Sequence, residues 1–178
     1  MRVEDHINCV SLVKFKNKED SILKYRKFWQ FIKANKIIAI VPHYDGENSS
    51  MIYTHQEHFC LEEKANEAMD RFCKLYGSSI EGRKSATRDR LGYRKNVPIL
   101  VTPNDAAFPL PSQYNNEEIW IIDLDFYIEE LSPNKCKILY PNDVSFIIPL
   151  SKRAVLARRA RALEVLRSFT YPVGPQAA

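Results

Sequence analysis

Apolar residues in this chain recur with two periods, one of about 3.6 residues and one of 2, and the changes between them mark out its elements. Ile22, Tyr25, Trp29 and Ile32 recur at helical spacing behind Asp20 and Ser21, either of which can cap a helix. Lys24, Arg26, Lys27 and Lys33 fill the remaining positions, so a basic amphipathic helix is expected over 21–35. Residues 37–41, closed by Pro42, read as a strand, Asp45-Gly46 as a turn and 51–54 as the returning strand of a hairpin. Leu61, Ala65, Ala68, Met69, Phe72 and Tyr76 form the stripe of a helix over 61–76. Glu62 and Glu63 suit its first turn, Lys74 its last, and Gly77 a left-handed cap.

Further along, 97–102 reads as a buried strand, and Pro103, Pro109 and Pro111 predict an irregular loop. Trp120, Ile122, Leu124, Phe126 and Ile128 alternate with Ile121, Asp123, Asp125, Tyr127 and Glu129, the pattern of one long half-buried strand. Residues 135–140 and 144–148 form a further hairpin around Pro141-Asn142-Asp143. A final helix begins at Ser151, with Val155, Ala162, Leu166 and Phe169 on one stripe, Leu156 and Leu163 beside it, and Arg153, Arg158, Arg161 and Arg167 off it. Strands and helices do not alternate as strand–helix–strand units. The expected fold is therefore α+β: mainly antiparallel sheet with a central helix, a basic N-terminal helix and a basic C-terminal helix. Residues 1–36 are expected to form an N-terminal extension carrying the basic helix, 37–170 the main domain, and 171–178 a flexible tail.

Composition narrows the class. The 178 residues are 45% hydrophobic and 27% charged, as in a soluble globular protein. No apolar run approaches the ~20 residues of a membrane helix, and Glu4, Asp5, His6 and Asn8 break any signal-peptide pattern, so no membrane partner is expected. Cys9, Cys60, Cys73 and Cys136 contain no C-x-x-C pair; they read as small buried hydrophobes in a reducing, cytoplasmic compartment. The net charge of +4 conceals strong segregation. Residues 14–36 hold 8 basic and 2 acidic side chains, 71–95 again 8 and 2, and 151–178 hold 6 and 1, whereas 37–70 hold 1 and 7 and 96–150 hold 2 and 8. Such blocks suit a positive face for a polyanion; the alternative is charge clustered on solvated helices.

The densest candidate is 77–95. Gly77 and Gly82 fit a phosphate loop, but Arg83 stands where the lysine belongs, a helix precedes the segment instead of a strand, and Glu81 would repel phosphate. A better reading is an exposed cationic loop. Within 83–95, Arg83, Lys84, Arg88, Arg90, Arg94 and Lys95 are opposed only by Asp89, and Gly77, Ser78, Ser79, Gly82, Ser85 and Ala86 permit close approach. Ser78, Ser79 and Thr87 offer hydroxyls to phosphate oxygens, and guanidinium groups suit a narrow A/T-rich minor groove. The plain alternative is a solvated turn after a helix.

Tyr76-Gly77-Ser78-Ser79, Gly82-Arg83-Lys84 and Ala86-Thr87, then Pro98-Ile99, Val101, Pro103, Phe108 and the turn 109–112, resemble the bacterial competence transcription factor family, ComK. Weaker similarity runs back to 38–42 with its Asp-Gly turn and forward to Pro149-Leu150-Ser151 and the final helix, so it covers roughly 37–169. The resemblance implies a non-enzymatic transcription activator without cofactor or metal. Such a protein recognises paired A-run/T-run boxes in double-stranded DNA through the minor groove, bends the DNA, works as a homo-oligomer and switches on genes of DNA uptake. The cationic-loop reading, which the resemblance supports at Gly77-Ser78-Ser79, Gly82-Arg83-Lys84 and Thr87, places DNA contacts at Gly77, Ser78, Ser79, Gly82, Arg83, Lys84, Thr87, Arg88, Arg90, Arg94 and Lys95. From the charge pattern we add Arg158 and Arg161 of the final helix, which could touch DNA backbone or serve an oligomer or domain contact. The first ~35 residues have no counterpart in the family. The family's best-known member carries a tail read by a proteolytic adaptor, and 171–178 does not reproduce it.

Other constellations carry less. His55, His58 and Cys60 lie close in sequence, but in a strand the two histidines point to opposite faces and no fourth ligand is near. Ser78 and Ser79 lack a positioned histidine. Asp123 and Asp125 fit the solvent side of a strand. Tyr25, Phe28, Trp29 and Tyr93 could stack on single-stranded bases, although helical spacing makes the first three core or interface residues. Two other classes therefore compete with the activator: a non-enzymatic RNA- or single-strand-binding module, and a small nucleotide-dependent enzyme.

Overall fold

The computed structural model describes residues 11–12, 27–32, 34–114 and 117–170. Its main sheet has seven strands: β1 (Ser11–Leu12), β2 (Ile37–Pro42), β3 (Ser50–Thr54), β4 (His58–Leu61), β5 (Ile99–Thr102), β6 (Asp105–Pro111) and β7 (Glu118–Ile121). Their spatial order is β1-β4-β3-β2-β7-β6-β5, antiparallel except for β1 along β4. A second antiparallel sheet, in the order β10-β9-β8, is built from β8 (Tyr127–Ser132), β9 (Lys135–Leu139) and β10 (Ser145–Ile148). Among the described residues four helices complete the fold: α1, helical at residues 27–32 and 34, α2 (Ala65–Lys74), α3 (Ile80–Leu91) and α4 (Lys152–Thr170). The α+β expectation is met, with the hairpin of β2 and β3 in the register Ile40↔Ile52 and Val41↔Met51.

The main sheet is buried on both faces, which explains why its strands read as continuous apolar runs. Alternate residues serve two cores. Ile37, Ile40, Ile52, Phe59, Ile99, Val101, Trp120 and Ile122 face Phe28, Trp29 and Ile32 of α1, Ala68, Met69 and Phe72 of α2, and Ile80 of α3. Val41, Met51, Cys60, Phe108, Ile119 and Ile121 face Cys136, Ile138, Phe146 and Ile148 of the second sheet and Val155, Ala162 and Val165 of α4. Helical residues 28, 29 and 32, placed in an extension by sequence, thus contribute to a core of the main sheet, while 21–26 and 33 of that predicted helix lie outside the described residues.

Several expectations are corrected. The helix predicted over 61–76 spans Ala65–Lys74, because Leu61 ends β4, a strand that sequence missed; Gly77 does take the left-handed conformation, with φ +87. The irregular loop expected from Pro103, Pro109 and Pro111 contains β6, which lies between β5 and β7. Its pairing to β5 reaches only Ala107, so Pro109 and Pro111 sit where β7 alone is a neighbour and no second ladder needs their missing N–H. The long strand expected over 120–129 is two strands in different sheets. The Ile122 and Asp123 amides turn onto the Ile38 carbonyl, each at 3.0 Å, and the chain crosses to β8.

The cysteine reading holds for Cys73 and Cys136, which are free and buried, and fails for Cys60, which is disulfide-bonded. Burial pushes the Cys73 thiol up to about 12, so it behaves as an inert core side chain.

Candidate nucleic-acid interface

The segment expected as an open loop is a helical corner. Ser79 caps α3 by accepting from the Gly82 amide at 3.2 Å, and Gly92 closes it with φ +71. Asp70, in α2, accepts from the Ile80 amide at 2.9 Å and so sets a carboxylate against the positive end of α3. Arg83 answers in the other direction. Its guanidinium donates to the carbonyls of Cys73 and Tyr76, at 3.2 and 3.0 Å, and to that of Leu100 in β5. The carbonyls at the end of α2, of which that of Cys73 also accepts from the Tyr76 amide at 2.9 Å, therefore gain a charged donor from α3, and α3 is pinned to the sheet. With Asp70 already on its first amide and Glu81 in its first turn, the corner has no nest for a nucleotide phosphate.

The candidate contacts thus divide. Ile80, Arg83, Lys84, Thr87 and Leu91 lie on the inward side of α3. Thr87 is buried, and Arg83 is held by carbonyls with its Nε enclosed, which removes the surface exposure assumed for both. Lys84 is largely covered, paired with Glu81 at 3.1 Å and 5.6 Å over the Trp120 ring. Arg158 is also a fastener: its Nη1 donates at 2.9 Å to the carbonyl of Pro109, which lies on the side of β6 that β5 does not reach, and burial pulls its pKa below the usual range. Gly77, Gly82, Arg88, Arg90, Arg94, Lys95 and Arg161 remain exposed, and Ser78 and Ser79 are half-buried.

What sequence could not reveal is that the exposed cations of the two basic blocks meet. Helices α3 and α4 both pack on β5, the edge strand of the main sheet, and their contacts join around it. Arg90 lies over the Phe169 ring at 4.7 Å and Arg161 over the Tyr93 ring at 5.0 Å, while the Tyr93 hydroxyl donates to the Glu164 carboxylate. Among the described residues Arg94 and Lys95 make no ion pair, and Arg88 is only 3.7 Å from Glu81, an exposed partner. The result is a cationic surface wrapped around one edge of the molecule, drawn from 88–95 and from α4.

Burial and the hydrogen bond to Glu164 raise the Tyr93 phenol to about 12. A raised acid pKa means that the protonated donor favours the fold. Its contribution is complete below pH ~10, the unfolded value, and is lost as pH rises through about 12. Tyr93→Phe should lower stability by about 1 kcal/mol in urea melts at neutral pH, a difference that disappears above that window.

The other constellations resolve as follows. His55 faces the buried Asp123 at 2.6 Å, and Lys36 reaches the same carboxylate at 3.0 Å. Asp123 is therefore an internal tie between strands and not the solvent-facing residue expected. His58 packs against the Tyr53 ring, so His55, His58 and Cys60 do not converge. Phe28 and Trp29 are core, and Tyr93 is engaged by Glu164 and Arg161, which leaves none of these three as an open stacking platform; Tyr25 lies outside the described residues. Among the described residues, no helix is long and apolar enough to cross a membrane.

No solved structure matches the chain. A curated relative, the competence transcription factor of Bacillus subtilis (strain 168), is 33% identical over 76 residues, which is 42% of this chain and 40% of the relative. The match thus spans about two fifths of that protein's length. Residues 29–171 match the family described as ComK protein, beginning inside α1 and therefore within the span that sequence had set apart as an extension. With most of its length inside that match, the chain belongs to the ComK family.

Proposed function

We propose that this protein is a DNA-binding transcription activator of the competence type, and that the cationic edge formed by α3, 92–95 and α4 is its duplex-binding face. The observation that carries the reading is the junction of Arg90 with Phe169 and Arg161 with Tyr93, which unites two basic blocks from distant parts of the chain. Arg88, Arg90, Arg94, Lys95 and Arg161 hold the phosphates, and Arg83, Lys84, Thr87 and Arg158 keep the helices in place beneath them. Gly82, Ser85 and Ala86 keep the outer side of α3 slim enough for close approach. Specificity lies in A/T-rich boxes read through the minor groove, where a narrow cleft concentrates negative potential and favours arginine. The protein acts on genes of competence, in keeping with the name of its curated relative, the competence transcription factor, and it does so as a homo-oligomer in the cytoplasm.

A gel-shift series tests this reading. A duplex with paired A/T boxes should bind at least about tenfold more tightly than a G/C-rich duplex or a single strand. Replacing A·T by inosine·cytosine keeps the minor-groove pattern and alters the major groove, so affinity should survive that change and fall when a distamycin-type ligand is added. Preference for the single strand would favour the RNA- or single-strand-binding module. Loss on inosine substitution with indifference to the drug would place recognition in the major groove.

A further inference from the structure

A cluster of a different kind lies on the β2–β3 turn and β4. His43 and Asp45 belong to the turn, and Cys60 belongs to β4, in the strand row Val41, Met51, Cys60. One ligand atom from each of His43, Asp45 and Cys60 lies within 4.8 Å of the others, and His43 Nε2 stands 3.6 Å from Asp45 Oδ2. Ligands around a tetrahedral zinc ion, with bonds of about 2.0–2.3 Å, are separated by about 3.3–3.8 Å, so one edge of such a site is already at its spacing. The turn is also fixed in advance: Asp45 Oδ1 accepts from the amides of Glu47 and Asn48 at 3.1 and 2.8 Å, and Asn48 Nδ2 donates to Oδ2 at 2.7 Å. An imidazole, a carboxylate and a thiolate make a donor set suited to zinc.

We propose that His43, Asp45 and Cys60 form a site for a thiophilic divalent cation, open only when the Cys60 disulfide is reduced. In the structure the Cys60 sulfur is committed to its disulfide. A cellular dithiol supplies two electrons and two protons, giving two protein thiols and leaving as its own cyclic disulfide. The Cys60 thiol then passes its proton to solvent as the cation binds, and water fills the remaining position. Reduction therefore exchanges a covalent tether on β4 for an ion that ties β4 to the β2–β3 turn.

The test uses the full chain and Co²⁺ as a spectroscopic substitute for Zn²⁺, without oxygen, after reduction by a phosphine that is then removed. Reduced protein should bind one Co²⁺ with a thiolate-to-cobalt charge-transfer band and tetrahedral d–d bands. Untreated protein should bind about tenfold or more weakly and show neither feature. His43→Gln and Asp45→Asn, both outside the strands, should each weaken binding by about tenfold or more in the reduced protein, and Cys60→Ser should remove the charge-transfer band. His58→Gln should change none of this. The proposal is overturned if reduced protein gives no charge-transfer band, or if the band and affinity survive His43→Gln, which would assign the cobalt to other thiols.

Discussion

Alanine in place of Arg83 should lower stability by about 3 kcal/mol, seen as a shifted urea midpoint with an unchanged slope. The reason lies in the three carbonyls that this guanidinium serves: Cys73 and Tyr76 at the end of α2, and Leu100 in β5. Removing it takes a charged donor from all three; Cys73 keeps the Tyr76 amide at 2.9 Å, and a buried acceptor left without a donor costs about 1–3 kcal/mol less whatever water can recover. For a domain of this size the melting temperature should fall by roughly 6–12 °C. Arg83→Lys should restore only part of the loss, because one ammonium cannot span carbonyls in two elements as the planar fork does. Lys84→Ala next door should cost no more than about 1 kcal/mol, since Lys84 has one carboxylate partner and a ring contact. Unchanged stability in Arg83→Ala would mean that the corner is not held as described, and Arg83 would return to the list of DNA contacts.

That contrast also marks where sequence was informative. The β2–β3 hairpin, α2 and α4 were legible because their apolar residues repeat at the period of the element. Helix α3 was not, because its inward stripe of Ile80, Arg83, Lys84, Thr87 and Leu91 is largely polar, and a polar stripe reads as solvent-exposed. Only the Ser79 cap and Gly92 gave local signs of a helix. Strand β6 was hidden by prolines whose tolerance depends on β5 ending early, a tertiary fact. The alternation over 120–129 ran unbroken through a crossing between sheets, and nothing local distinguished Asp123, which turns inward, from Asp125. Segregation of charge was plain in the sequence. The joining of two basic blocks was not, because it depends on pairs such as Tyr93 and Glu164, which lie 71 residues apart.

Replacing Arg88, Arg90, Arg94 and Lys95 together by glutamine should weaken binding to an A/T-box duplex by roughly 1,000-fold at about 100 mM salt, with the fold retained. All four side chains are exposed, and among the described residues none donates a hydrogen bond that joins two elements, so stability should change by less than about 1 kcal/mol. The loss follows from counterion release: each phosphate neutralised adds about 0.9 to the salt slope, and four of the five proposed contacts would be gone. Arg161 stays in place over Tyr93 in this variant, so the residual binding should come from α4.

The most direct measurement of the duplex-binding face is therefore the salt dependence of that affinity. For the wild-type protein the logarithm of the binding constant should fall against the logarithm of salt with a slope near −4.5 per protomer, flattening to about −1 in the fourfold variant. A wild-type slope shallower than about −2, or a fourfold variant with an unchanged slope, would contradict the assignment of this cationic edge to DNA.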